Sequence, residues 1–213
     1  MAEELGLRER KKRKTRELIA ETARQLFAER GFEQVTVTEI AREAEVSPAT
    51  VFNYFPTKED LFYSRLEAFE DELMTAIRER AAGQSVVDAF AGFLLGQGGV
   101  LTMDAPEADE QLRTITRIIT ESPALLARER HVFDRYAQTL AALLAEETGA
   151  KPDDSVPRVV ANALLGLHRA LIDHVRREAL AGTPVAEIRD GVRAGAERAI
   201  AQLKQGLAGY GVR

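Results

Sequence analysis

Residues 31–62 read GFEQVTVTEIAREAEVSPATVFNYFPTKEDLF, and they contain the most specific structural signals in the chain. Thr36 and Glu39 have the spacing of a capping box, which predicts a short helix that begins directly after Thr36. Ser47 followed by Pro48 is the N-cap and first-turn pair of a second short helix. Two short helices separated by a tight turn indicate a helix-turn-helix, in which the second helix enters the major groove of DNA.

Helix signals also dominate on both sides of this stretch. Gly31 stands where a first helix is expected to end, because glycine adopts a positive φ at little cost. Thr57 is the expected cap of a fourth helix that runs unbroken to about Arg80, since apolar residues recur along it at steps of three and four. Strand signals are absent, so we expect an all-α protein of about nine helices. The other predicted helices span residues 7–30, 85–96, 107–121, 123–148, 155–181 and 184–207.

The composition suits a folded protein whose charge is unevenly distributed. The 213 residues are 45% apolar and 30% charged, which is enough apolar material for a core and does not indicate disorder. A net charge of −5 argues weakly against a nucleic-acid partner. However, the stretch from Arg8 to Arg16 holds seven basic residues and a single acidic one. A local patch of this kind can attract phosphate, although a solvated tail is the alternative.

Taken together, these elements resemble the DNA-binding signature of the TetR family of transcriptional regulators. In that signature a Gly-aromatic pair is followed by a Thr-capped helix, an Ile-Ala pair, a turn ending in Val-Ser, a Tyr-Phe pair and a Lys-Glu-x-Leu segment, and residues 31–62 contain them in order. Glu45 departs from the pattern, since the family usually has glycine there, and a left-handed backbone costs a non-glycine residue on the order of 1 kcal/mol. The resemblance implies a helix-turn-helix domain with a basic arm over residues 1–65 and a ligand-binding and dimerisation domain over residues 66–213.

Polar and basic residues around the predicted recognition helix are the candidate DNA contacts. Thr50 and Asn53 lie one turn apart, where an Asn can pair with adenine and a Thr methyl can meet a thymine methyl. The resemblance assigns phosphate contacts to Tyr54 and Lys58, with a packed aromatic and a solvated lysine as the alternatives. Thr36 stands at a helix N-terminus, which also suits a phosphate. The full candidate set is Arg10, Lys11, Lys12, Arg13, Lys14, Thr36, Ser47, Ala49, Thr50, Asn53, Tyr54 and Lys58.

Apolar stripes on the last two helices predict a homodimer, because a single helix-turn-helix reads too few base pairs to be selective. By resemblance to the family, these helices form a four-helix bundle with their symmetry mates. The alternative is that the same residues form ordinary core within one chain. The candidate interface residues are Leu164, Leu171, Ile188, Val192, Gly195, Ala199 and Leu203.

The resemblance also implies a small-molecule effector that binds the C-terminal domain and releases a repressor from a palindromic DNA operator. Effector pockets are mostly apolar with a few polar groups, so we expect a largely apolar ligand. Each candidate taken singly could instead be core, and a helical ligand-binding or adaptor protein without operator binding is the alternative function. The candidate ligand residues are Phe90, Phe93, Met103, Thr114, Arg117, Ile119, Phe133, Tyr136, Leu165 and His168.

Other classes of protein are not expected. The chain has no cysteine, and its three histidines lie outside any zinc-binding motif, so we expect neither a metal nor another cofactor. Phosphate-binding loops and nucleophile elbows are absent, which argues against an enzyme. No apolar run is long enough to span a membrane, and no apolar segment of a signal peptide follows the basic stretch. We therefore expect a cytoplasmic protein.

Overall fold

A computed structural model describes residues 2–96 and 107–207, and within these ranges the chain is entirely helical apart from its turns. The expected all-α class is confirmed, with ten helices in these ranges where about nine were predicted. None of these helices is both long and apolar enough to cross a membrane. The helices are α1 (Ala2–Arg30), α2 (Val37–Glu43), α3 (Pro48–Tyr54), α4 (Lys58–Phe62), α5 (Ser64–Arg78), α6 (Val86–Gly96), α7 (Ala108–Glu121), α8 (Pro123–Thr148), α9 (Val156–Ala181) and α10 (Val185–Leu207).

The additional helix arises from a break at Tyr63. The prediction of one continuous helix from Thr57 to about Arg80 is wrong, because α4 ends at Phe62 and α5 begins at Ser64. Tyr63 is buried, and its hydroxyl donates a hydrogen bond of 3.2 Å to the carbonyl of Leu125. This contact joins residues 62 positions apart in the chain, so the spacing of nearby apolar residues could not reveal it.

Local caps set the boundaries of the short helices as predicted. The Thr36 amide donates to the Glu39 carboxylate at 2.8 Å, and the Glu39 amide donates to the Thr36 hydroxyl at 3.2 Å, which completes the capping box. The Ser47 hydroxyl accepts from the Thr50 amide at 3.0 Å and caps α3. Glu45 adopts a φ of 54° in the connecting turn, so the left-handed backbone expected there is confirmed.

Contacts between Cα atoms divide the chain into two compact units. Unit 1 consists of the residues up to Glu67 together with Ile118–Arg128, and unit 2 consists of Ala68–Arg117 and the residues from Glu129 onward. The first break therefore falls two residues after the expected boundary at 65/66, and unit 1 also takes in the end of α7 and the start of α8. Within unit 1, the Ser122 hydroxyl donates to Glu33 at 2.7 Å and Arg128 forms an ion pair with Asp60.

The core of unit 1 holds the three N-terminal helices and α4 together. Phe27, Phe32 and Phe62 pack with ring centroids 5.2 to 5.8 Å apart. Ile40 of α2 and Val51 of α3 are fully buried in the same core. Burial of these side chains from every helix fixes the angle at which α3 lies against α2.

Unit 2 is a bundle in which α10 packs along α9 and α6. Ile188 and Val192 of α10 are buried in this bundle together with Leu112 of α7. Ion pairs also link parts of unit 2 that are distant in the chain. They are Arg80 with Glu147, Arg135 with Glu70, Arg176 with Glu129, and Lys204 with Asp88.

Candidate functional site: a nucleic-acid interface and an effector cluster

One face of the α3 helix is exposed to solvent. It comprises Pro48, Ala49, Phe52 and Asn53, and we call it the exposed face of α3. Its opposite face is anchored, because Val51 is fully buried. A helix of seven residues held in this way is short enough to enter the major groove, which is about 12 Å wide.

The hydroxyls of Ser47 and Thr50 are engaged in the cap of α3. The two oxygen atoms lie 2.8 Å apart, and Thr50 is only half-exposed. Base contact by these two residues remains a prediction, and it would have to use hydroxyls that already bind each other. Asn53 is exposed one turn further along the helix, where its amide faces outward.

Phe52 is a residue that the sequence analysis missed. Its side chain is 51% exposed although phenylalanine is usually buried, and it lies on the exposed face of α3 between Ala49 and Asn53. An aromatic side chain on a helix is normally assigned to the core, which is why the sequence did not single it out. The helical spacing could have revealed it, because Phe52 lies on a different side of the helix from the buried stripe formed by Val51 and Phe55.

Thr36 is occupied by its role as a helix cap. Its hydroxyl donates to Glu39 at 2.8 Å, and these hydrogen bonds from the Thr36 backbone and side chain lower the pKa of the Glu39 carboxyl below its ordinary value. Arg30 lies 3.7 Å from the same carboxylate. The capping role is therefore present, and phosphate contact by Thr36 stays a prediction.

Lys58 and Tyr54 are half-buried beside the core of unit 1. The Lys58 ammonium lies 4.2 Å from the centroid of the Phe32 ring. Burial lowers the pKa of Lys58, while nearby carboxylates, Glu33 foremost, act in the opposite direction. Packing against Phe32 restricts the lysine stem, so the ammonium has a defined position at the start of α4.

The basic arm belongs to α1 and is helical. Lys11, Lys12 and Lys14 are exposed, as are Arg10 and Arg13. The Arg16 guanidinium lies 4.7 Å from the centroid of the Phe55 ring, directly beyond α3. A helical arm holds its cations at fixed spacings, which suits contact with the phosphate backbone better than insertion of an extended segment into the minor groove.

Unit 2 brings several candidate ligand residues into one cluster of rings, which we call the His168 cluster. It consists of Phe69, Phe93, Phe133, Tyr136 and His168. The imidazole stacks on Phe69 with centroids 4.7 Å apart and meets Phe133 edge-on at 5.6 Å. Phe69 also packs against Phe93 at 5.0 Å and Tyr136 at 6.3 Å. Phe69 was not among the predicted residues, because it sits in the regular apolar stripe of α5.

The His168 imidazole is unusual among these side chains. Its Nδ1 atom is buried and has no hydrogen-bond partner in the part of the chain that the structure describes. Burial lowers the pKa of His168 to about 4, with a smaller opposing effect of Glu129. The imidazole is therefore neutral at physiological pH. Leu165 and Phe90, two further candidates, are buried in the same unit.

Other candidate ligand residues do not join this cluster. Ile119 belongs to the core of unit 1, because α7 passes from unit 2 into unit 1 at residue 118, so a role for it in an effector pocket of the C-terminal domain stays a prediction. Thr114 is half-exposed, and its hydroxyl donates to Glu110 at 3.3 Å. Arg117 is exposed, and Met103 lies outside the described residues.

A surface cavity of about 540 Å³ lies elsewhere in unit 2, between the C-terminal half of α8 and the beginning of α9. None of the predicted ligand residues is among those that line it. Its walls combine small apolar side chains with a few charged ones, including Ala141, Ala145, Lys151, Asp154 and Arg158.

Several predicted dimer residues are core residues of a single chain. Leu164, Ile188 and Val192 are buried within unit 2, so the intrachain alternative describes them, and they offer little surface to a partner. A Cβ atom added to Gly195 would lie 3.8 Å from the Leu171 side chain, an ordinary van der Waals distance, so the packing of α9 on α10 within one chain does not require glycine at this position.

Three further candidate dimer residues remain available at the surface. Leu171, Ala199 and Leu203 keep partial exposure. The α9 helix also exposes apolar side chains that the prediction omitted. These are Val156, Val159 and Leu180.

Two family models match the chain, and together they cover most of it. The model described as "Bacterial regulatory proteins, tetR family" matches residues 19–64, which include the helix-turn-helix. The model described as "MftR C-terminal domain" matches residues 99–208, about half of the chain.

Curated relatives and solved structures agree with these models. The transcriptional regulator TcmR of Streptomyces glaucescens is 32% identical over 158 residues, which span 73% of this chain and 70% of TcmR. The mycofactocin biosynthesis regulator MftR of Mycobacterium tuberculosis is 27% identical over 167 residues, spanning 75% of this chain and 79% of the relative. The structure of GusR from Salmonella enterica has the same fold, with a TM-score of 0.54, 22% identity and coverage of 90% and 94% of the two chains.

Proposed function

Because the chain belongs to the TetR family of bacterial regulatory proteins, we propose that it acts as a homodimeric repressor that leaves a palindromic operator when a small, largely apolar molecule binds unit 2. Transcriptional regulation through a DNA-binding helix-turn-helix is what the family does, and ligand-responsive repression is typical of it. The observation that carries the proposal is the exposed face of α3.

The exposed face of α3 combines two kinds of base-reading group. Asn53 is suited to paired hydrogen bonds with an adenine edge, and Phe52 is suited to apolar contact with the methyl group of thymine. Both side chains are exposed in the chain alone, and about half of the Phe52 surface is left uncovered by the protein. A DNA partner supplies the apolar contact that the protein does not.

Phosphate contacts on either side of α3 would fix its register on the duplex. Lys58 and Tyr54 lie at its C-terminal end, and the exposed basic residues of α1 extend from the same unit. These contacts carry no sequence information, and they make binding depend steeply on salt because each neutralised phosphate releases counterions.

Two copies are needed for selective binding, and α9 and α10 are the proposed dimer surface. The residues that support this assignment are those with surface left to offer, namely Val159 and Leu180 on α9 and Leu203 on α10. An isologous interface would place two α3 helices one helical turn of DNA apart, or a multiple of it, about 34–36 Å for one turn.

The test is a binding titration of the full chain against duplexes selected from a random pool, at several salt concentrations. We expect a palindromic selected sequence bound by a dimer. The double variant Tyr54→Phe, Lys58→Ala should weaken binding to all sequences alike, whereas Asn53→Ala should change the selected sequence. Failure to bind any duplex in a salt-dependent manner would overturn the regulator assignment and favour a helical ligand-binding protein.

A further inference from the structure

The His168 cluster contains a buried polar atom that lacks a hydrogen-bond partner and is surrounded by aromatic rings. Nδ1 of His168 is buried without a partner among residues 2–96 and 107–207, while four aromatic rings pack around the imidazole or each other. A buried polar atom without a hydrogen-bond partner lowers the stability of the folded protein. Sites that bind small molecules retain such atoms to orient their ligands.

Two members of the cluster are not fully buried. Phe133 and Tyr136 are almost fully buried, but Phe69 and His168, which stack on each other, both keep partial exposure. Both rings of the stacked pair therefore contribute to the surface of unit 2 in the part of the chain that the structure describes, while Nδ1 itself is buried. The near-parallel rings, inclined at 23°, favour a flat molecule that continues or replaces the stack.

Two of the arginines near the cluster are paired with carboxylates. Arg176 donates to Glu129 at 3.0 Å, and Arg135 donates to Glu70 at 2.8 Å. The exposed Arg169 lies with its guanidinium 5.6 Å from the centroid of the Phe133 ring. Burying a carboxylate against the neutral imidazole and the aromatic rings costs far more free energy than burying a neutral hydroxyl group there, so the buried atom favours a neutral ligand.

We propose that His168 Nδ1 is the hydrogen-bonding anchor of the effector site, and that the effector is a neutral, planar arene carrying a hydroxyl group. A phenolic hydroxyl both donates and accepts, so it satisfies Nδ1 whichever ring nitrogen of the neutral imidazole carries the proton. The rings of the cluster supply the stacking surface. This inference rests on the proposed function, because it takes unit 2 as the effector-binding part of the chain.

The experiment uses the full chain without DNA and three probes of nearly equal shape: 2-naphthol, naphthalene and 2-naphthoate. The chain has no tryptophan, so the fluorescence of the naphthyl group can be followed directly. We expect 2-naphthol to bind on the order of tenfold more tightly than naphthalene, in line with one buried hydrogen bond gained, and more tightly than the anion 2-naphthoate.

Variants separate the anchor from simple packing. His168→Phe keeps a planar ring without a hydrogen-bonding atom, and it should bring 2-naphthol and naphthalene to within about twofold of each other. His168→Asn, which retains a polar side chain, should recover part of the preference and guards against a folding defect in the first variant. His131→Phe is the matched control, because His131 is exposed on α8. It should leave all three affinities unchanged.

Three results would overturn the inference: no binding of 2-naphthol, equal binding of 2-naphthol and naphthalene, or tighter binding of 2-naphthoate. Operator release is measured separately with the same probes. Binding of 2-naphthol without release would contradict the proposed repressor mechanism and leave the anchor intact. Release of the operator by another compound, with no binding of 2-naphthol, would support the repressor mechanism and contradict the His168 anchor.

Discussion

Each unit of the molecule contains a cluster of packed aromatic rings with a buried polar atom. The polar atom of unit 1 has a hydrogen-bond partner, whereas that of unit 2 has none among the described residues. In unit 1, Phe62 and Tyr63 pack at 5.1 Å, and the Tyr63 hydroxyl donates to the Leu125 carbonyl. In unit 2, His168 is packed at a similar distance on Phe69, yet its Nδ1 has no partner in the described parts of the chain. The first arrangement stabilises a fixed scaffold, and the second leaves binding capacity for another molecule.

The two units also differ in how accessible their proposed binding residues are, to DNA in unit 1 and to a small molecule in unit 2. Unit 1 carries the proposed base-reading side chains on a short helix whose outer face is already exposed, which suits the recognition of a duplex of fixed shape. Unit 2 holds its polar group inside the bundle, so a ligand has to be buried to reach it. For a ligand to regulate DNA binding, it must bind two conformations of the protein with different affinities.

The strongest test of the contrast removes a ring from the scaffold of unit 1. Phe27→Ala leaves a cavity where Phe27 packs on Phe32 and Phe62, which should lower the free energy of unfolding by about 3–5 kcal/mol. Operator binding should be lost, while 2-naphthol binding by unit 2 should persist. Chemical unfolding and the two binding titrations measure this. Loss of both activities would show that the units do not fold independently.

A matched pair of substitutions tests the two polar atoms directly. Tyr63→Phe removes the hydrogen bond from the Tyr63 hydroxyl to the Leu125 carbonyl and should lower the free energy of unfolding by about 0.5–1.5 kcal/mol. His168→Phe removes a polar atom that had no partner, so the free energy of unfolding should stay the same or rise. Thermal unfolding of both variants, side by side, decides the point. A marked loss of stability in His168→Phe would mean that Nδ1 is satisfied in the folded protein.

A smaller effect is expected from the exposed ring of α3. Phe52→Ala should weaken binding to the selected operator by about tenfold, because the contact between the Phe52 ring and a thymine methyl group is lost. The free energy of unfolding should not fall, because the ring is half-exposed in the free protein. Replacing individual thymines by uracil removes only the methyl group. One such replacement should weaken the wild type and have no further effect on Phe52→Ala. If every replacement weakened both proteins equally, Phe52 would not read thymine.

The smallest effect concerns the cap of α2 and its dependence on pH. Since the pKa of Glu39 is lowered in the folded state, its carboxylate stabilises the protein above the ordinary glutamate pKa, and this contribution is lost as the pH falls through the folded pKa. Glu39→Gln should therefore be less stable than the wild type at neutral pH. The difference should close in acid, as measured by urea unfolding at several pH values. A gap that persisted in acid would show that the charge of Glu39 is not its source.

The parts of the fold that the sequence predicted correctly depend on residues close together in the chain. The capping box spans Thr36 to Glu39, and the cap of α3 spans Ser47 to Thr50. The positive φ of Glu45 likewise follows from a turn of a few residues. Such features are set by local backbone geometry and hydrogen bonding, so the order of residue types is enough to predict them.

The candidate sites were less accessible to prediction because apolar stripes look alike whether they face a core, a ligand or a partner chain. Leu164 and Val192 were assigned to an interface, but they are buried within one chain. Phe69 was assigned to an ordinary stripe, but it stacks on His168. Only the packing of one helix on another distinguishes these cases.

For this protein, then, the amino-acid sequence alone determined the helical class, the short capped helices of the DNA-reading motif and the basic character of α1, since each depends on neighbours within a few positions. The tertiary structure decided the break at Tyr63, the inclusion of Ile118–Arg128 in unit 1 and the burial of His168 Nδ1. Those three depend on contacts between residues tens of positions apart, and such contacts form only when several helices pack at once.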